Sequence, residues 1–207
     1  METLVPLSLA ALVGFQHAFE ADHLVAVSSL VAKRKNPYLA VKDGIYWGLG
    51  HTSTILLIGI IVLIGKFMLS EQLFMKLEAI VGLMLIVLGI TRIYKMNNQR
   101  NHTHLHSHTH THSLAYGVGA IHGLAGSGAL ILVVMTEAKD TFFSLLYLCI
   151  FGMGSIVGML IAAGLFSLPF SKKLGTYQWL GALFSLLSSI VCILLGFFIL
   201  YENIYGQ

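Results

Sequence analysis

The chain has 207 residues, 57% of them hydrophobic and 10% charged, with a formal net charge of +3 and a mean hydropathy of +0.83. A soluble domain carries about 25% charged residues; charges this sparse do not wet a globular surface, and the chain reads as an integral membrane protein. No basic patch interleaved with aromatics is present, which argues against nucleic acid as a partner, and Cys149 and Cys192 lie in separate apolar runs, which argues against a thiolate metal site or a disulfide framework.

Six apolar segments occur in order: 3–31, 44–65, 72–94, 114–136, 141–168 and 176–201. Each is long enough to cross roughly 30 Å of hydrocarbon as a helix. Charges interrupt the first and no basic stretch precedes it, so it reads as a retained span rather than a cleaved signal. Nine of the twelve basic residues fall after segments 1, 3 and 5 (Lys33, Arg34, Lys35, Lys42; Arg92, Lys95, Arg100; Lys172, Lys173). The positive-inside rule makes that side cytoplasmic and puts both termini outside, with the chain in the cell membrane.

Segment 1 contains GFQHAFEADHLVAV, residues 14–27. An acidic side chain at the centre of a spanning helix costs about 2.5–3.5 kcal/mol, and such residues normally face a bundle interior and mark an ion or proton path. A regular helix would put Gln16, Glu20 and His23 on one face, with His17 within reach of Glu20 and Asp22 pointing elsewhere. Two arrangements remain open: the helix is broken here, or Asp22 orients an imidazole from another helix. Segment 2 adds His51 in GLGHTST, and segment 4 adds His122 in IHGLAGSG. Imidazole with carboxylate suits divalent ions such as Ni²⁺, Co²⁺ and Zn²⁺, whereas an all-oxygen set would suggest Mg²⁺ or Ca²⁺.

Between segments 3 and 4 lies KMNNQRNHTHLHSHTHTHS, residues 95–113. It lacks apolar periodicity and reads as a flexible cytoplasmic loop. His102, His104, His106, His108, His110 and His112 make it a weak, adaptable chelator of divalent metal, expected to tune transport rather than enable it.

The chain also repeats itself. GFQHAFEADHL and GAIHGLAGSGAL carry an intramembrane His 105 residues apart, and GLGHTSTILLIG is matched by FGMGSIVGMLIA about 104 residues later, which sets His51 against Ser155. Repeats of three helices have opposite orientation in a membrane, because three is odd. The expected fold is therefore an all-α polytopic membrane protein of six transmembrane helices. It forms one membrane domain, with residues 1–94 and 114–207 as inverted three-helix repeats joined by the His-rich loop.

His17-x-x-x-x-Asp22-His23, within HAFEADHL, resembles the signature of the nickel/cobalt transporter (NiCoT) family, and LGHTST with His51 resembles that family's second motif. The six-segment length and IHGLAGSGAL resemble its short branch, the urease-accessory (UreH-like) nickel permeases. The resemblance implies a secondary permease for Ni²⁺ or Co²⁺, with His17, Asp22, His23 and His51 selecting the metal. Glu20, His122 and Ser155 are further candidates for ligands or supporting groups. The metal would be a transported substrate rather than a resident cofactor. Partners are the divalent ion and the lipid bilayer, with a cytoplasmic metallochaperone or a second copy of the chain as further candidates. Uptake is the leading direction and efflux the alternative; a membrane redox protein with His-ligated haem is the alternative from another class. GxxxxGK[ST] and HExxH are absent, which argues against ATP hydrolysis and zinc-protease chemistry.

Overall fold

The computed structural model describes residues 4–32, 34, 36–65, 70–98, 111–137, 140–170 and 178–205. Seven α-helices occur among them: α1 (Leu4–His17), α2 (Ala21–Val31), α3 (Pro37–Gly65), α4 (Glu71–Asn98), α5 (Thr111–Glu137), α6 (Thr141–Ser167) and α7 (Gln178–Tyr205), with a short 3-10 turn, Leu168–Phe170, after α6. No strand occurs among the described residues. Helices α3, α4, α6 and α7 are long and apolar enough to cross a membrane, whereas α1 and α2 are shorter apolar helices. Large apolar side chains such as Leu57, Ile64, Leu194 and Tyr201 point outward, while Asp43, His23, His51, His122, Ser155 and Ser189 are buried. That inside-out distribution is the one lipid selects. The protein is a multi-pass helical membrane protein.

The structure decides two points of the sequence reading. The first apolar segment is two helices, so of the two arrangements left open by the sequence the broken helix is the one observed. Phe19 N–H donates to Gln16 O and Glu20 N–H to His17 O, at 2.9 and 3.1 Å, so α1 ends in a tightened turn. Glu20 is then extended (φ −64°, ψ 154°) and α2 starts at Ala21. The stretch contains neither Pro nor Gly at the break; what it contains is an acidic pair, Glu20 and Asp22, at the start of the second helix, where negative charge is favoured by the exposed N–H groups. The second point, a correction, concerns the loop boundaries. Residues 95–98 continue α4 and residues 111–113 already belong to α5. Arg92, expected at the cytoplasmic loop, is instead buried on α4 and donates from Nε to Ser185 Oγ on α7 at 2.7 Å.

Packing is by pairs of helices. Helix α3 lies along α5 and α6, α1 along α6, and α4 along α7; smaller contacts join α4 to α5 and α2 to α7. Glycines set the closest approaches. A Cβ at Gly14 on α1 would overlap the carbonyl oxygen of Phe151 on α6, and one at Gly119 on α5 would overlap that of Trp47 on α3. Gly50 on α3 meets the Tyr116 carbonyl on α5 in the same way, and Gly154 on α6 meets that of Ala11 on α1. Gly48 packs on Ile156, and Gly152 on Thr52. Small residues at such points let helix backbones come together in a membrane, where van der Waals contact does much of the work. Hydroxyls reinforce the seams: Ser155 Oγ donates to Gly14 O at 3.0 Å, and Thr52 Oγ1 to Gly152 O at 3.2 Å.

Candidate metal site

The break after His17 brings together side chains that a regular helix keeps apart. His17 closes α1, and His23 sits in the first turn of α2. Their rings are 4.6 Å apart, centroid to centroid, in an edge-to-face arrangement. His51, from the middle of α3, completes a triangle at 5.2 Å from His17 and 5.3 Å from His23. One ligand atom from each of the three lies within 4.8 Å of the others. The contact of Gly123 with the His51 carbonyl draws α5 against α3 at this level. It brings His122 to 4.7 Å from the His23 ring.

Each imidazole beside the break has one nitrogen held. His23 Nδ1 donates to Asp22 Oδ1 at 3.0 Å, and His17 Nδ1 lies 2.9 Å from Glu20 Oε1. His122 Nδ1 donates to its own helix at Val118 O, 3.2 Å away. A proton fixed on Nδ1 leaves the Nε2 lone pair free, the arrangement in which a carboxylate or carbonyl orients a histidine for metal. His17 Nε2, His23 Nε2, His122 Nε2 and both nitrogens of His51 are buried without a hydrogen-bond partner. An unsatisfied buried polar atom costs about 1–3 kcal/mol, and here several converge on one place. A divalent ion would satisfy them together; borderline metals are the ones that imidazole suits.

The two carboxylates therefore take different rings. Asp22 serves His23 and also faces His122, whose Nε2 lies 3.8 Å from Oδ2. Glu20 sits on His17, the contact its spacing had put within reach, rather than on His23, with which helix periodicity also grouped it; its side chain is 57% exposed. Ser155 is buried and donates its hydroxyl to the α1 backbone at Gly14 O. His102, His104, His106, His108 and His110 lie outside the described residues. His112 is on α5, where its Nδ1 is 2.9 Å from Asp43 Oδ1 and its ring stacks on Tyr46 at 4.9 Å. It is thus a packed helical residue rather than a free loop chelator.

Asp43 and Trp47 do not stand out in the sequence as the histidines do. Asp43 is buried and accepts a two-pronged pair from Arg34, with Nη2 to Oδ1 at 2.9 Å. Trp47 is fully buried against both His23 and His122, with ring centroids at 5.5 and 5.8 Å. A signal is nevertheless present: Asp43, Trp47 and His51 recur every four residues on α3, which places them on one helix face.

Buried imidazoles flanked by carboxylates at a break in an apolar helix bundle define a class: a polytopic membrane protein with a polar, cation-ready centre. The urease accessory protein UreH of Bacillus sp. (strain TB-90) is 35% identical over 182 residues, a match covering 83% of this chain and 80% of that protein. The chain belongs to the UreH-like branch of the nickel/cobalt transporter family. No family model matches it, and no solved structure does.

Proposed function

We propose that the chain is a permease that takes up Ni²⁺ or Co²⁺ across the cell membrane, binding the ion between Nε2 of His17, Nε2 of His23 and a ring nitrogen of His51. The observation that carries the reading is the convergence of bare, buried imidazole nitrogens whose opposite nitrogens are held by Glu20 and Asp22. The name of the Bacillus relative ties that protein to urease assembly, which favours nickel and inward delivery.

The reading includes six membrane crossings, with α1 and α2 together making one, and an inverted repeat. Helix contacts support it. Gly14 and Gly119 are 105 residues apart, and the residues they touch, Phe151 and Trp47, are 104 apart. Gly50 with Tyr116 and Gly154 with Ala11 obey the same exchange, as do Gly48 with Ile156 and Gly152 with Thr52. Contacts that persist when the halves are exchanged are what a two-fold axis in the membrane plane produces, with the site at the junction of the halves. The cytoplasmic side is the one bearing residues 95–113, by the distribution of Lys and Arg. Cysteines at Asn98 and Glu202 then label from opposite sides with an impermeant reagent; labelling of both from outside overturns that orientation.

The test of function is accumulation of radioactive nickel by cells expressing the chain, with cobalt and zinc as competitors. Nickel accumulation above the vector control is expected, and it falls to background in His51→Ala at equal protein level. Faster loss of nickel from preloaded cells, without accumulation, would reverse the direction.

A further inference from the structure

Two ligand groups meet in this cluster, and they share one residue. The first is His17, His23 and His51; the second is Asp22, His23 and His122. The His23 ring is 4.6 Å from the His17 ring and 4.7 Å from the His122 ring. We propose that the groups are two metal stations in series that share His23, and that an ion crosses the membrane by passing from one to the other. The proposal rests on the permease reading and adds to it a second station, built on His122.

The second station has its own parts. His122 is 1% exposed, and its Nδ1 is committed to Val118 O, so the buried Nε2 is bare and available. Asp22 gives Oδ1 to His23 and leaves Oδ2 facing His122. The 3.8 Å between Oδ2 and His122 Nε2 is too long for a hydrogen bond. It is the spacing of two donors on one ion, because atoms each about 2.1 Å from a common metal lie roughly 3–4 Å apart. A purely structural His122, by contrast, would need a partner for Nε2, and it has none.

The stations differ in charge. The first offers three imidazoles; the second offers two imidazoles and a carboxylate oxygen. Because His23 is common, two ions do not fit at once, and a single ion exchanges one set of remaining donors for the other. It keeps one protein ligand throughout, which spares it from returning to full hydration in mid-membrane.

Purified full-length protein titrated with Co²⁺ and followed by visible absorption separates the stations, since an all-nitrogen set and a mixed nitrogen–oxygen set give different bands. Any binding by the histidines at positions 102–110 is common to every variant. His122→Ala should retain the all-nitrogen band, and His17→Ala should retain the mixed one. The double variant should keep only what the loop contributes. In vesicles, His122→Ala and His122→Asn should each lower nickel uptake by at least about 10–100-fold, the range for losing a group that merely supports a metal ligand. Asn keeps a donor for Val118 O, so uptake restored by His122→Asn would make His122 structural and overturn the proposal. So would a double variant whose spectrum equals that of His17→Ala. If the unaltered protein neither takes up nickel nor shows an intramembrane Co²⁺ band, the permease reading fails first and the stations fall with it.

Discussion

Helices α1 and α2 on one side and α5 on the other start from similar sequence, GFQHAFEADH and GVGAIHGLAGSG, yet only the first is broken. Both place a His three residues beyond a glycine that touches a neighbouring carbonyl: Gly14 precedes His17, and Gly119 precedes His122. The residues beyond each His differ. After His17 come Glu20 and Asp22, which suit the first turn of a new helix; after His122 come Gly123, Leu124 and Ala125, and the helix runs on to Glu137. The broken helix pair supplies two imidazoles, with Asp22 on one and Glu20 on the other, and the continuous helix supplies one imidazole. A shared packing frame thus tolerates very different chemistry in its two copies, because glycine contacts set the frame and a short acidic stretch in one helix sets the site.

The largest effect should come from His23, the one residue in both ligand groups. His23→Ala should reduce nickel uptake to background while leaving the protein monodisperse in detergent; uptake above about one tenth of normal, less than the loss expected for part of a metal site, would show that the broken helix is not the centre of the site. Next comes the carboxylate contrast. Asp22→Asn keeps size and hydrogen bonding and removes the charge that serves His23 and His122, so uptake should fall by about 10–100-fold. Glu20→Gln, on a largely exposed side chain, should fall less. The reverse order in initial-rate measurements would return the role to the residue that regular-helix geometry favours.

The frame can be probed without touching the site's ligands. Gly119→Ala forces a Cβ onto the Trp47 carbonyl; overpacking of this kind costs about 1–3 kcal/mol, and a lower midpoint of thermal aggregation in detergent should report it. Gly14→Ala should cost a similar amount against Phe151, and a much smaller cost there would mean that the two halves are not held alike. The smallest effect is expected at the lipid face. Leu194→Ala on α7, 63% exposed, should change the same midpoint by less than about 0.5 kcal/mol equivalent.

Much of this is legible in the sequence. Apolar length finds the helices, because lipid penalises any unsatisfied backbone. The cost of intramembrane Glu20, Asp22 and the histidines marks where function lies. Helix periodicity then misleads: it groups Gln16, Glu20 and His23, because it assumes one continuous helix through residues 18–20. The acidic pair is a burden to be partnered and also a helix start, and only the first of these shows in a hydropathy reading. His122 is conspicuous in its apolar segment, but its nearness to His23 depends on the contact of Gly123 with the His51 backbone, a tertiary fact that no single segment encodes. Asp43 is inconspicuous since its partners, Arg34 and His112, lie 9 and 69 residues away.

The junction of Arg34, Asp43 and His112 also bears on the order in which the protein is made. Arg34 leaves the ribosome before Asp43, so the carboxylate can be neutralised as soon as it exists, and α3 need not enter the bilayer with a bare charge near its leading end. His112 arrives 69 residues later, about 3–14 s at ordinary rates of synthesis. When it takes its place on Asp43 and Tyr46, it fastens the first turn of α5 to a helix already in position. The carboxylate thus works first as half of a neutral pair and later as a mooring point for the second half of the chain.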